Sequence, residues 1–206
     1  MNKTKIFVFD FDGTLIRSNE IKYKALFETL KKDEIIKKQI NIEKYCKDFI
    51  RESGISREKK IKKRFKDILN KKNIEDIIYN YSSKVDQFSK HLQLSIEIAE
   101  SLKNFKKNGE VYILSGGRVS EITKICDKSN SLNYVNGIIC SPSGKEKFLK
   151  IFSNLGKVIF FGDSEIDYKA SIASNTDFIR ITGYSDLQID NYQGKCLNSI
   201  CDYNFF

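Results

Sequence analysis

Residues 6–19 read IFVFDFDGTLIRSN, a stretch in which a strand-like run ends on paired negative charges. Four apolar residues, β-branched or aromatic, lead directly into Asp10, and Asp12 follows two positions later. An apolar run of this kind is typical of a strand that is buried on both faces. Because an ionised carboxylate is costly to remove from water, we expect a positive charge beside the two aspartates.

Four further apolar runs follow along the chain. They are EVYILS at 110–115, GIIC at 137–140, VIFFGD at 158–163 and DFIRI at 177–181, after a first run at 5–10. Stretches with helical spacing, such as SEITKICDKS and KEKFLKIFSN, separate them. Strands that alternate with helices predict an α/β protein with a Rossmann-like parallel sheet.

The first connection is much longer than the others. About 80 residues separate the first strand from the helix before the second, whereas an ordinary crossover needs about a dozen. Apolar side chains recur there at intervals of three and four residues: Leu26, Phe27 and Leu30, then Ile61, Phe65, Ile68 and Leu69, then Ile74, Ile77, Ile78 and Tyr81. We therefore predict an α/β core domain, 1–15 plus 96–206, with an inserted α-helical domain at 16–95.

The net charge of +9 comes from 36 Lys and Arg against 27 Asp and Glu. Residues 17–95 contain 21 basic and 12 acidic side chains, so the whole excess lies in the insert. The favoured interpretation is a solvated Lys-rich helical surface. A second is a positive lid that attracts anions, with surface lysines such as Lys59, Lys60, Lys62 and Lys63. Nucleic-acid binding is disfavoured, because the insert lacks a recognised nucleic-acid motif.

Composition excludes several other classes of protein. The five cysteines contain no CxxC pair, which argues against a disulfide framework or a zinc site. His91 is the only histidine, so a Ser-His or Cys-His triad would depend on it alone. No run approaches the roughly 18 apolar residues of a membrane span, and the first residues turn acidic too soon for a signal peptide. We expect a cytoplasmic protein with no membrane partner, and nothing in the sequence specifies an oligomeric state.

Polar side chains end several of the predicted strands. Asp10 and Asp12 follow the first strand, Ser115 ends the second, and Asp163 ends the fourth, with Asp167 four residues later. The carboxyl ends of parallel strands lie at one edge of a sheet, where ligands bind. These side chains are therefore expected to converge.

Turns of small residues follow the first four predicted strands, namely DGT, SGGR, PSGK and GDSEID. Such turns let backbone N–H groups approach an anion such as phosphate. Four crowded carboxylates would repel one another unless a hard divalent cation bound them, and Mg²⁺ prefers such oxygen ligands. The expected positive charges are therefore Mg²⁺ and, from the protein, Lys145.

This ordered set of motifs resembles the haloacid dehalogenase superfamily of phosphohydrolases. DFDGT is similar to the first motif of that family, which implies Asp10 as the nucleophile, Asp12 as the general acid and base, and Thr14 as support for the loop. VYILS is similar to the second motif, which implies that Ser115, with Gly116 after it, binds the transferring phosphoryl group.

The resemblance extends to two further motifs. Lys145 in SGKEKFL matches the third motif, with Lys147 as the alternative. GDSEID matches the fourth, with Asp163 as a metal ligand and Asp167 beside it. The implied metal site thus comprises Asp163, Asp167 and the two aspartates of the first motif, Asp10 and Asp12.

The position of the insert, between the first and second motifs, implies the mobile helical cap of the C1 class, as in phosphoglycolate phosphatase and β-phosphoglucomutase. The implied activity is Mg²⁺-dependent hydrolysis of a small phosphorylated substrate, a sugar phosphate or a phosphoglycolate-like acid, through an aspartyl-phosphate. The alternative is a phosphomutase of the same superfamily. Arg17 and Arg118 flank the first two motifs and are candidates for substrate contacts beyond the phosphoryl group.

Overall fold

The computed structural model describes residues 4–52, 55–141 and 144–205, which are built around a six-stranded parallel β-sheet. The strands are β1 Lys5–Phe9, β2 Glu110–Ser115, β3 Gly137–Cys140, β4 Lys157–Gly162, β5 Asp177–Ile181 and β6 Cys196–Leu197. Their order across the sheet is β3-β2-β1-β4-β5-β6, and every neighbouring pair is parallel. The predicted Rossmann-like α/β fold is confirmed.

The five predicted strands form within one residue of their expected limits. β1 ends at Phe9 and β4 ends at Gly162, so Asp10 and Asp163 each begin the loop after a strand. β6 was not predicted, because its two residues, Cys196–Leu197, are too few to show an alternating or continuous apolar pattern.

Helices occupy the insert and cover the sheet. Those in the described ranges are α1 Asn19–Leu30, α2 Glu34–Gln39, α3 Ile42–Arg51, α4 Arg57–Phe65, α5 Lys71–Phe88, α6 Ile96–Asn108, α7 Val119–Lys128, α8 Glu146–Leu155 and α9 Glu165–Ser174. The first five form the insert between β1 and α6. Within the described part of the chain, none of these helices combines the length and apolarity that crossing a bilayer requires.

The starts of five consecutive helices are fixed by side-chain caps. The residue before each helix from α2 to α6 accepts a hydrogen bond from a backbone N–H of the first turn: Asp33, Asn41, Ser56, Asn70 and Ser95. A cap of this type satisfies an N–H that the helix itself leaves unpaired. Apolar spacing predicted helix in α1, α4 and α5, and the caps Asp33 and Asn41 are the sequence signal for the helices α2 and α3.

Core and insert have separate apolar interiors. In the core domain, buried aromatic residues of β1, α6 and β4 pack together, including Phe7, Phe9, Phe105 and Phe161. In the insert, a second cluster is formed by buried residues between Ala25 and Val85. The insert therefore has an apolar interior of its own to hold its helices.

Phe105→Ala should destabilise the core domain. The Phe105 ring lies 4.9 Å from the rings of both Phe7 and Phe9 and 5.3 Å from that of Phe161, and it is 1% exposed. Removing a buried phenyl ring leaves a cavity, so we expect a loss of about 3–5 kcal/mol in the free energy of unfolding. Urea unfolding followed by circular dichroism measures this loss, with Lys107→Ala on the exposed side of α6 as the control. A loss no larger than that of the control would contradict this packing.

Candidate active site

The order of the strands reverses at β1, and three aspartates lie together at this point. β1 pairs with β2 on one side and with β4 on the other, and Asp10 N donates to the carbonyl oxygen of Phe161 at 2.8 Å. Ligands of open parallel sheets bind at such a reversal, outside the carboxyl ends of the strands. Asp10, Asp163 and Asp167 are all buried there, with one carboxylate oxygen of each within 4.8 Å of the others.

Lys145 supplies the positive charge expected beside Asp10. It precedes α8, and its Nζ donates to Asp10 Oδ1 at 2.5 Å and to Asp167 Oδ1 at 2.6 Å, with its side chain fully buried. Burial disfavours the ammonium, but the two carboxylates outweigh it and raise the pKa of Lys145 above its usual range. Lys147 is exposed. Of the two candidate lysines, the structure places Lys145 at the aspartates.

Both oxygens of the Asp167 carboxylate accept hydrogen bonds, whereas those of Asp163 accept none from the described residues. Asp167 Oδ1 accepts from Lys145, and Asp167 Oδ2 accepts from the N–H and the Oγ of Ser164, at 3.3 and 2.7 Å. The N–H of Asp167 in turn donates to Ser164 Oγ at 3.3 Å, which completes the capping box of α9. Within the described residues, both oxygens of Asp163 and the Oδ2 of Asp10 lack a hydrogen-bond partner. Asp167 thus orients Lys145, and Asp10 and Asp163 provide the unused oxygens.

These unused oxygens fit a divalent cation. Burial, offset in part by Lys145, raises the pKa of Asp10 to about 7, and burial next to Asp10 raises the pKa of Asp163 well above its usual range. When all three clustered carboxylates are ionised, their charge exceeds that of Lys145, the cation that pairs with them among the described residues. A hard cation with oxygen ligands would balance that charge and occupy the unpaired buried oxygens.

Asp12 faces the insert instead of joining this cluster. Its Oδ1 accepts from Ser18 Oγ at 2.5 Å, and its Oδ2 accepts from Lys22 Nζ in α1. Burial acts to raise the pKa of Asp12, but the charge and hydrogen bond of Lys22 outweigh it and hold the pKa below its usual range. The carboxylate cluster formed by the described residues does not include Asp12, whose role as a metal ligand stays a prediction.

Sequence reasoning did not identify Lys22. Its only signal is its spacing from Ser18, because residues four apart at the start of a helix point to the same side. Both side chains reach Asp12 from that side. The first motif itself does not indicate this pairing. It arises because the start of α1 lies beside the loop that contains Asp12.

The turn after β1 fits closely against Asp163. Gly13 has a φ of +87°, and a Cβ at this position would lie 2.3 Å from Asp163 Oδ2, so only glycine is compatible with both the backbone and the space. Thr14 is fully buried, and its Oγ1 has no hydrogen-bond partner within the residues described. The turn therefore contains a buried hydroxyl that no other described residue engages.

Ser115 is the last residue of β2 and is 1% exposed. Its Oγ accepts the N–H of Gly117 at 3.0 Å, and a hydroxyl that accepts in this way can still donate its own proton to an anion. Gly116 and Gly117 line a cavity of about 50 Å³ together with Ser115 and Asp12. We refer to this space as the inner cavity.

The insert forms the other side of the inner cavity and contributes Lys22, Arg57 and Lys60. Lys60 was expected at the surface with its neighbours, and this expectation is wrong. Its side chain is only partly exposed, and Nζ donates to the carbonyl oxygens of Phe49 at 2.5 Å and Glu52 at 3.1 Å. Lys60 differs from its neighbours because it lies three residues after Arg57, on the same inward face of α4.

Neither predicted arginine lines the inner cavity as far as the described residues define it. Arg17 donates from Nη2 to the carbonyl oxygen of Gly183 at 2.8 Å and borders a separate open groove of about 790 Å³. Arg118 donates from Nη2 to Glu58 Oε1 of α4 at 2.8 Å. Both were selected for their nearness to the motifs in the sequence, and the structure directs both side chains to other partners.

Two ion pairs join α4 of the insert to the start of α7 in the core. The insert provides the cation of one pair, and the core provides the cation of the other. Arg57 Nη2 lies 2.6 Å from Glu121 Oε2, with both side chains largely buried at 5% and 13% exposure. Arg118 and Glu58, at 40% and 35% exposure, form the second pair. The adjacent pairs hold α4 over the inner cavity.

Breaking these two pairs should have unequal effects on stability. Arg57→Met leaves Glu121 buried without its partner, and we expect a loss of about 3 kcal/mol in the free energy of unfolding. Arg118→Met removes an exposed pair, worth at most about 1 kcal/mol. Urea unfolding of the two variants measures the difference. Equal losses would show that burial does not distinguish the pairs.

Solved structures with the same architecture cover almost the whole chain. A haloacid dehalogenase-like hydrolase from Bacteroides fragilis has a TM-score of 0.74 at 18% identity, over 96% of this chain and 98% of that one. A predicted phosphoglycolate phosphatase from Haemophilus somnus has a TM-score of 0.74 at 15% identity, over 98% and 97%. CbbY from Rhodobacter sphaeroides, solved with phosphate, has a TM-score of 0.71 at 15% identity, over 97% and 96%. At such identities the likeness shows a shared fold.

No curated protein matches the chain. A family model for haloacid dehalogenase-like hydrolases matches residues 4–175, which is most of the sequence. The matched range contains the insert and the four motifs around Asp10, Ser115, Lys145 and Asp163. The chain therefore belongs to the haloacid dehalogenase-like hydrolases, as its motifs predicted.

Proposed function

We propose that this hydrolase is a Mg²⁺-dependent phosphatase that releases phosphate from a small phosphorylated metabolite through an aspartyl-phosphate on Asp10. The observation that supports this most strongly is the state of the Asp10 carboxylate. One of its oxygens is held by Lys145, the other is buried without a hydrogen-bond partner in the described structure, and Ser115 ends the adjacent strand. An oriented carboxylate with unused lone pairs is suited to attack phosphorus.

In the first step, the Asp10 carboxylate attacks phosphorus, the bond from phosphorus to the ester oxygen breaks, and an aspartyl-phosphate forms. Lys145 keeps the carboxylate in place and offsets negative charge on the phosphoryl oxygens. The hydroxyl of Ser115 donates a hydrogen bond to one of those oxygens. Such positioning and charge compensation account for most of the catalysis of phosphoryl transfer.

Asp12 takes part in proton transfer in both steps. The departing oxygen receives a proton that Lys22 Nζ supplies through Asp12, to which it is hydrogen-bonded, and the proton that Asp12 takes up in the second step restores the pair. In the second step, Asp12 accepts a proton from the water that attacks phosphorus, which breaks the acyl phosphate and regenerates Asp10. The pairing with Lys22 favours ionised Asp12, the form that acts as the base.

The site for the metal would be provided by Oδ2 of Asp10 and by both oxygens of Asp163, which are buried and unpaired within the described residues, with Asp167 adjacent. When bound, Mg²⁺ supplies positive charge to the phosphoryl oxygens. Lys145 uses only one of the acceptor sites of the Asp10 carboxylate, so Asp10 retains lone pairs for both the cation and the attack.

The test is a measurement of phosphate release over a panel of phosphorylated metabolites, including sugar phosphates and phosphorylated acids, with Mg²⁺ present. We expect catalytic release of inorganic phosphate from at least one ester. Conversion of a sugar phosphate into its isomer without release would instead identify a phosphomutase. Inertness towards every ester, aryl phosphates included, would refute the proposal.

A further inference from the structure

Lys60 is a partly buried amine that the proposed reaction does not use. It belongs to α4 and lines the inner cavity. Its Nζ donates to the carbonyl oxygens of Phe49 at 2.5 Å and Glu52 at 3.1 Å, at the carboxyl end of α3, and lies 3.7 Å from the centre of the Phe49 ring. Lys60 forms no ion pair with any residue that the structure describes, so no carboxylate among them balances its charge.

The surroundings of Lys60 disfavour its ammonium form. Burial and the charges of Lys22 in α1 and Arg57 in α4 lower the pKa of Lys60 to about 7, although Glu52 and Asp12 act in the opposite direction. At about pH 7.5 a large share of this side chain is therefore the neutral amine, whereas an ordinary lysine with a pKa of about 10.4 is neutral in about one molecule in a thousand. A desolvated neutral lysine is a nucleophile.

The hydrogen bonds of Lys60 leave the lone pair of the neutral amine available. Such an amine has two N–H groups, and the carbonyl oxygens of Phe49 and Glu52 can accept both. The lone pair of the tetrahedral nitrogen then points away from these carbonyls. An electrophile must be small to react in the inner cavity, because about 50 Å³ has room for only about four groups of the size of a water molecule.

The inner cavity also provides cations for an anionic product. Lys22 Nζ donates to Asp12, and Arg57 donates to Glu121 from Nη2 and to Ser82 from Nη1. Both cationic side chains have further N–H groups that can donate to another carboxylate. Asp12 and Glu121 are already paired with these cations, which reduces their repulsion of a further anion. An anionic adduct in this cavity would therefore be stabilised.

We propose that Lys60 is carbamylated by carbon dioxide and that Lys22 and Arg57 bind the resulting carbamate. The Nζ lone pair attacks the carbon of CO₂ and forms an N–C bond, the electron pair of one C=O π bond moves to oxygen, and the nitrogen releases a proton to water. The amine becomes a carbamate anion without any oxidant, reductant or cofactor.

Carbon dioxide meets both limits that the inner cavity sets. Its three atoms fit the volume, and its adduct carries the negative charge that Lys22 and Arg57 can bind. An aldehyde would instead give an imine, which has no negative charge. The inference concerns the chemistry of Lys60 itself and does not depend on the phosphatase function.

The first part of the test detects the adduct and locates it. The protein is incubated at about pH 7.5 with ¹³C-bicarbonate, which supplies labelled CO₂, and is studied by ¹³C NMR. Lys59→Met, on the exposed side of the same helix, is the matched control for Lys60→Met. We expect a carbamate resonance in the unmodified protein and in Lys59→Met that is absent from Lys60→Met. The inference is overturned if no carbamate resonance appears, or if every such resonance persists in Lys60→Met, as that of a terminal amine would.

A second measurement locates the adduct without a variant. Carbamates of the unmodified protein are trapped as ethyl esters with triethyloxonium, and the digested protein is analysed by tandem mass spectrometry. We expect the trapped group on Lys60. Trapped groups on other amines alone would overturn the inference.

The last part tests the cations that bind the carbamate. In Lys22→Met the concentration of CO₂ needed for half occupancy of Lys60 should rise by about tenfold, as expected for the loss of one charge-assisted hydrogen bond. Lys24→Met, at an exposed position of α1, should behave as the unmodified protein. Thermal unfolding verifies that both variants are folded. Equal occupancy in Lys22→Met and the unmodified protein would contradict the proposed binding of the carbamate.

Discussion

Asp10→Asn is expected to lower phosphate release by at least about 1,000-fold, because the attacking carboxylate is lost while the size of the side chain hardly changes. Lys145 keeps its ion pair with Asp167 at 2.6 Å, so the variant should remain folded. Steady-state phosphate release measures the effect, and thermal unfolding verifies the fold. The matched control is Asp127→Asn, at an exposed position of α7. An Asp10→Asn variant with nearly normal turnover would exclude Asp10 as the nucleophile.

Removal of divalent metal is the second change with a large expected effect. Activity should be lost in EDTA and return with Mg²⁺, because the buried carboxylates of Asp10, Asp163 and Asp167 have only Lys145 to balance them among the described residues. Ca²⁺ should restore little activity, since its larger and more variable coordination shell would misplace the nucleophile. Full activity after exhaustive chelation would contradict the proposed metal site.

Binding of the metal can also be measured without turnover. A ligand that binds only the folded protein raises its Tm, so Mg²⁺ should raise the Tm of the unmodified protein. Asp163→Asn should remove most of this shift, because both oxygens of Asp163 are unpaired within the described structure. Asp127→Asn should retain it. A shift that is equal in all three proteins would place the metal elsewhere.

Much of the fold and part of the candidate site could be predicted because they depend on local sequence. The buried strands are continuous apolar runs, and parallel strands necessarily bring their carboxyl ends to one edge. For this reason the sequence alone was sufficient to group Asp10, Ser115 and Asp163. Lys145 could be placed near them by the small-residue turn that contains it and by its match to the third motif, although only the structure distinguishes it from Lys147.

The contribution of the insert could not be predicted in the same way. Lys59 and Lys60 are identical in type and adjacent in sequence, yet the packing of α4 exposes one and directs the other into the inner cavity. Arg17 and Arg118 are close to the motifs in sequence, but Gly183 and Glu58 engage them. Which face of an insert meets the core depends on tertiary contacts, and local patterns do not contain that information.

The most direct test of the proposed mechanism is to find the phosphoryl group on the enzyme. The protein is mixed with a hydrolysed ester and Mg²⁺, quenched in acid during turnover, digested, and analysed by tandem mass spectrometry, with Asp10→Asn treated in parallel. The account predicts one added phosphoryl group, located on Asp10 and absent from the variant. A phosphoryl group on another residue, or none on Asp10 under conditions in which the ester is being consumed, would contradict it.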